Sequence, residues 1–152
     1  MRHHRHNRLR ISTLFLLLIG GCQKAPELAP PPSAATGGVR LEIQYNAIRA
    51  LAYRGSDAMK DPGRLDVLAE MLDEQKQLQH FRLKLKDGRD VPDQGEAQTT
   101  VESALKAIAA LHRKRPEIDL SRLYPAIEQV AQGSNEVLKQ EARKTQVALG
   151  IK

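Results

Sequence analysis

From Val39 to Gly150 apolar side chains return every third or fourth residue, and glycine or proline cuts the rhythm into short stretches. A stripe of that period is the buried face of an amphipathic helix, and short breaks between stripes make consecutive helices antiparallel neighbours. This spacing confines the segment to an all-α fold of about five helices.

Each stretch carries its own punctuation. Ile43, Ala47, Ile48, Ala50 and Leu51 predict a helix over 39–53, stopped at Gly55. Asp61 and Pro62 supply an N-cap and a first-turn proline ahead of Leu65, Leu68, Met71, Leu72 and Leu78, read as one second helix whose outer face carries Asp66, Glu70, Asp73 and Glu74. Thr99 and Glu102 have capping-box spacing before Val101, Ala104, Leu105, Ile108 and Leu111, and Arg113, Lys114 and Arg115 suit the negative end of that helix before Pro116. Ser121 is the expected cap of a fourth helix with Leu123, Ile127 and Val130, ended by Gly133; Asn135 opens a fifth that closes at Gly150.

One stretch departs from this period. Phe81, Leu83 and Leu85 alternate with Arg82, Lys84 and Lys86, and Asp87-Gly88 then offers a turn before Arg89 and Val91. Alternation of period two predicts a small β-hairpin or extended arm, inserted over about 80–97, whose apolar row covers the second helix, adding a strand to a partner being the alternative. The same stretch sets Arg82, Lys84 and Lys86 in a basic stripe able to meet lipid headgroups.

Laid on itself, the chain places Ala47, Ile48, Ala50 and Leu51 over Ala107, Ile108, Ala110 and Leu111, and Leu65, Leu68 and Leu72 over Leu123, Ala126 and Val130. Small residues beside branched ones, in helix pairs joined by short loops, suit stacked helical hairpins. On these residues the segment 39–152 resembles HEAT or armadillo-like repeats, two and a half units long with the hairpin between the first and second. The resemblance implies a short α-solenoid; a compact five-helix bundle is the alternative.

The first 38 residues have a different character. Arg2, Arg5, Arg8 and Arg10 precede the apolar run Ile11–Ile19 and the small residues Gly20 and Gly21, the three-part order of an export signal over 1–21. That run is shorter than the roughly 20 residues a bilayer core requires. Ile19, Gly20, Gly21 and Cys22 resemble the lipobox of bacterial lipoproteins. The resemblance implies cleavage before Cys22, a diacylglycerol on its thiol and acylation of the freed amine. Each buried methylene contributes about 0.8 kcal/mol, so two or three chains hold a small protein on a membrane where one is marginal. Gln23 in place of Asp after the cysteine resembles the sorting pattern for the outer membrane of diderm bacteria. Residues 22–38, with Pro26, Pro30, Pro31 and Pro32, read as a linker reaching roughly 50 Å at the polyproline rise.

Charge excludes one class of partner. The formal +6 owes four charges to the leader arginines, leaving 20 basic against 18 acidic side chains elsewhere, and aromatics are only 3% of the chain. A nucleic-acid surface needs concentrated cations and stacking rings, so no nucleic acid is expected. A single cysteine leaves no intrachain disulfide and no cysteine-based zinc finger.

Catalytic chemistry finds little to use. Beyond the leader the histidines are His80 and His112, without a nucleophile motif around either. Asp66, Glu70 and Asp73 are more simply the wet face of a helix than an acid–base pair. Asp87, Asp90, Asp93 and Glu96 lack the alternate-position oxygens of a calcium loop. No catalytic residue, cofactor or metal ligand is expected. The expectations are a lipid anchor at Cys22, membrane attachment through its acyl chains, and another protein as partner, with Asp66, Glu70, Asp73, Arg82, Lys84 and Lys86 as candidate contacts. A pilotin-like assembly chaperone and an envelope enzyme with an unrecognised carboxylate site are the alternatives.

Overall fold

The computed structural model of the chain describes residues 36–151. Cys22, the export signal and the linker up to residue 35 lie outside the described residues. Six α-helices and one hairpin are present among them: α1 (Thr36–Arg54), α2 (Pro62–Met71), α3 (Glu74–His80), β1 (Arg82–Lys84), β2 (Asp90–Pro92), α4 (Gln94–Lys114), α5 (Tyr124–Gln132) and α6 (Glu136–Leu149). Single 3-10 turns precede α2 and α5, at Asp57–Lys60 and Ser121–Leu123. The chain is mainly α-helical, as its periodicity requires, and α1 starts three residues earlier than the spacing predicted.

Capping explains most boundaries. Asp61 accepts the Gly63 N–H at 3.0 Å with Pro62 in the first turn, and Asn135 accepts from Val137 and Leu138, both as expected. Gly55 closes α1 at φ +68 with paired bonds, Gly55 N–H to Ala52 and Ser56 N–H to Leu51, each at 3.0 Å. A side chain there would meet Lys114 Cβ at 2.9 Å, so glycine serves both the left-handed turn and the close approach of α4.

Three boundaries differ from the sequence expectation. The second helix is two: α2 ends at Met71, and Asp73 restarts the chain as the N-cap of α3, accepting the Lys76 N–H at 3.1 Å. This break shifts the helical phase, so Gln77 is fully buried where Leu78 was expected to be. The long helix α4 begins at Gln94, where Asp93 accepts the Glu96 N–H at 3.1 Å. Thr99 and Glu102 therefore lie inside the helix rather than at its start, and residues 94–97 of the expected insert belong to α4. Ser121 opens a 3-10 turn with no side-chain cap; its own N–H is held by Asp119 at 2.9 Å.

The core is organised around α4, whose Val101, Ala104, Leu105, Ala107, Ile108 and Leu111 are fully buried. It packs against α1, α2, α3 and α6, while α5 packs against α6. Alanines on α4 let its neighbours approach, and Leu and Ile fill the seams. Burying one such Leu or Ile is worth about 1.5–3 kcal/mol, against about 0–1 for each exposed ion pair, so the apolar stripes set the arrangement.

On α1 the buried stripe is Tyr45, Ile48 and Ala52, flanked by half-buried Leu41 and Leu51. Ile43, Ala47 and Ala50, expected inward, face out. A stripe through Tyr45 is tolerated because its hydroxyl finds partners inside, described below.

The hairpin forms as the alternation predicts, with Arg82 opposite Pro92, Leu83 opposite Val91 and Lys84 opposite Asp90. Gly88, at φ +86, closes the turn, its N–H bonded to Leu85 at 3.0 Å. The apolar row does not cover the second helix as a unit: Phe81 packs on the core, Leu83 is 49% exposed, and α3 packs against β2.

Candidate functional site

The six candidate contacts separate into two groups. Asp66 on α2 faces Arg122 of the second 3-10 turn at 3.4 Å, both largely exposed. Glu70, one turn on, accepts the Tyr45 hydroxyl at 3.0 Å and lies 3.9 Å from His80 Nε2. Asp73 is spent on capping α3. On the hairpin, Arg82 bonds Asp90 through Nε to Oδ2 at 3.4 Å and through Nη2 to the backbone oxygen at 2.9 Å. Lys84 and Lys86 are exposed and enter no ion pair among the described residues. No ion pair among those residues joins the acids of α2 to the bases of the hairpin.

Behind Glu70 lies a buried polar cluster that periodicity did not reveal. Gln77 Nε2 donates to the Glu70 backbone oxygen at 2.8 Å and to Tyr45 Oη at 3.3 Å, while Tyr45 donates onward to Glu70. Where α2 ends, the Glu70 carbonyl takes the Asp73 N–H at 3.1 Å and accepts the Gln77 amide as a second donor. That carbonyl only accepts, which fixes the amide with its nitrogen inward and leaves Gln77 Oε1 without a partner among the described residues. Burial is the main cause that pushes the Tyr45 phenol up to about 12, with the Glu70 carboxylate adding to it and the Gln77 hydrogen bond opposing.

A second unforeseen group ties α1 to the end of α4. Lys114 donates to the Tyr53 carbonyl at 2.6 Å; Arg115 donates to the Gly55 carbonyl at 2.9 Å, to Asp57 at 2.7 Å and to Glu117 at 2.5 Å. The guanidinium beside Asp57 holds that carboxyl down at about 2. Glu117 is two residues from Arg115, but Gly55 and Asp57 lie 60 and 58 residues away, beyond the reach of any local signal. Their bonds satisfy carbonyls at the end of α1, a structural task.

Two grooves flank α2 and α1. One, of about 290 Å³, runs between α2 and α5 and is lined by Ala69, Leu72, Asp73, Arg122, Ala126 and Gln129. This is the side bounded by the second helix of each expected pair. The other, of about 460 Å³, lies between α1 and the start of α4, with Tyr45, Asn46, Arg49, Phe81 and Thr99 on its walls. Among the described residues no three His, Cys, Asp or Glu side chains converge as a metal site, and no helix is long and apolar enough to cross a membrane. The acids of the hairpin and its exit serve the fold: Asp87 holds Arg89 at 2.7 Å, Asp90 holds Arg82, and Asp93 caps α4.

No protein-family model, curated protein or solved structure matches this chain.

Proposed function

We propose that the chain is a bacterial envelope lipoprotein, held on a membrane by acyl chains at Cys22, whose helical domain works by binding another protein rather than by catalysis. The observation that carries this reading is the sequence Ile19-Gly20-Gly21-Cys22 at the end of a basic-then-apolar leader, followed by a proline-rich stretch. Gln23 favours the outer membrane, facing the periplasm, in a diderm cell.

The helical body is read as HEAT-like: α1 with α2 and α3, then α4 with α5, then α6 opening a third unit. Two observations support it. Helices α1, α4 and α6 pack in that order, and the aligned pairs Leu65 with Leu123 and Leu72 with Val130 are buried at both members. The groove between α2 and α5, with Asp73 on one bank and Arg122 on the other, offers a partner both charges beside Ala69, Leu72 and Ala126.

Expression of the full chain in a diderm bacterium with labelled fatty acid tests the reading. Mass spectrometry is expected to find a mature chain beginning at Cys22 and carrying acyl groups, fractionating with the outer membrane and crosslinking to another envelope protein. Cys22→Ser should leave it unlabelled and released. A mature chain that begins elsewhere with a bare thiol would overturn the anchor, and an anchored chain with no crosslinked neighbour would overturn the binding role.

A further inference from the structure

The hairpin has one open edge and one closed edge. Its ladder is held by Leu85 N–H to the Arg89 carbonyl and by Asp93 N–H to the Phe81 carbonyl, each at 2.8 Å, with Leu83 opposite Val91 between them. Pairs alternate along an antiparallel ladder, so Arg82 and Lys84 turn their backbone groups away from β2, and Asp90 and Pro92 turn theirs away from β1. The outer edge of β2 is blocked: Pro92 has no N–H, the Arg82 guanidinium occupies the Asp90 carbonyl at 2.9 Å, and α3 packs beside the strand. The edge of β1 has no such cover. All three of its residues are exposed, and no further backbone hydrogen bond reaches Arg82 or Lys84 among the described residues.

We propose that the open edge of β1 is a strand-addition site for an extended segment of another protein in which acidic and apolar residues alternate. This rests on the protein-binding reading above and names the kind of partner. Main-chain hydrogen bonds to Arg82 and Lys84 supply the attachment, and the side chains along the edge choose the sequence. They run basic, apolar, basic, apolar, basic from Arg82 to Lys86, with Leu83 49% exposed and both lysines without an ion pair. The Arg82 guanidinium is held on Asp90, so an added strand alternating Glu or Asp with Val or Leu sets its acids beside Lys84 and Lys86 and its apolar residues beside Leu83 or Leu85. The same cations disfavour a second copy, because antiparallel pairing of two β1 strands about Leu83 sets Arg82 against Lys84 twice.

The full-length protein in detergent, titrated against a fluorescein-labelled alternating Glu-Val peptide and read by anisotropy, tests this. Saturable binding is expected, weakened about tenfold or more by Lys84→Pro, which deletes the outward N–H, and about two- to fivefold by Lys84→Gln, which deletes only charge. An alternating Lys-Val peptide should not bind. Should Lys84→Pro disturb the fold by circular dichroism, the wild type with a Glu-Val peptide N-methylated at its glutamate amides gives the same test, because those are the N–H groups that face Arg82 and Lys84 when each Glu lies opposite a basic residue. Equal binding of the methylated and parent peptides, or no binding of either, overturns the proposal. Binding to phosphatidylglycerol vesicles lost with Lys84→Gln, without peptide binding, assigns the cations to lipid instead; a dimer in sedimentation that Lys84→Pro dissolves assigns the edge to a second copy. An acylated Lys84→Pro protein that still crosslinks its envelope neighbour keeps the adaptor reading and removes this edge from it.

Discussion

Tyr45 shows how one side chain sets the face that a helix buries. Its ring belongs to the stripe with Ile48 and Ala52, and its hydroxyl is satisfied between Glu70 and Gln77. Tyr45→Phe keeps the ring and leaves one Gln77 amide hydrogen buried without an acceptor, so it is expected to cost about 1 kcal/mol in urea unfolding. The phenol also links stability to alkaline pH. In the unfolded chain it loses its proton near 10.0, and in the folded protein only at about 12. Between these values the unfolded state binds fewer protons, so stability falls as pH rises through the window. Urea midpoints at stepped pH are expected to show that slope in the wild type and a shallower one in Tyr45→Phe. Glu70 was legible as a polar position on α2. Its tie to Tyr45 was not, because Tyr45 and Gln77 stand 32 residues apart and meet only when α3 folds back under α1.

At the level of helices and strands, the signals that proved sound are those completed within one turn. Asp61 with Pro62, Asn135 and Gly150 mark their boundaries because a cap bonds to a backbone group two or three residues away. The break at Leu72 and Asp73 was hidden, since Leu78 stands seven residues after Met71, a helical spacing that masks the phase shift. The start of α4 was hidden for a related reason: Thr99 and Glu102 have capping spacing, but Asp93 and Glu96 have it too, and the hairpin delivers the chain to Asp93. These alternatives separate experimentally. Asp93→Ala is expected to cost about 1 kcal/mol of stability, while Thr99→Ala, at an exposed helix-interior site, should change it by no more than about 0.5 kcal/mol. Thermal unfolding followed by circular dichroism measures both.

For the whole domain, stability concentrates on α4, the helix that meets most of the others. Leu105, fully buried on it, is expected to cost about 2–5 kcal/mol as Leu105→Ala and to lower the single unfolding midpoint of the domain. Val147, 80% exposed on α6, should tolerate Val147→Ala within about 0.5 kcal/mol. A urea series on the two variants checks the contrast.

The order of residues specified the helical class, the hairpin and its turn, and most helix ends, because periodicity and capping are chemistry between near neighbours in the chain. It also carries the lipobox-like stretch on which the proposed anchor stands. Which face of α1 turns inward, that Gln77 is buried, that Arg115 clasps the end of α1, and that β1 alone keeps an open edge were decided when distant segments came together. Each of those depends on a partner supplied from another part of the fold, and no local pattern records which partner arrives.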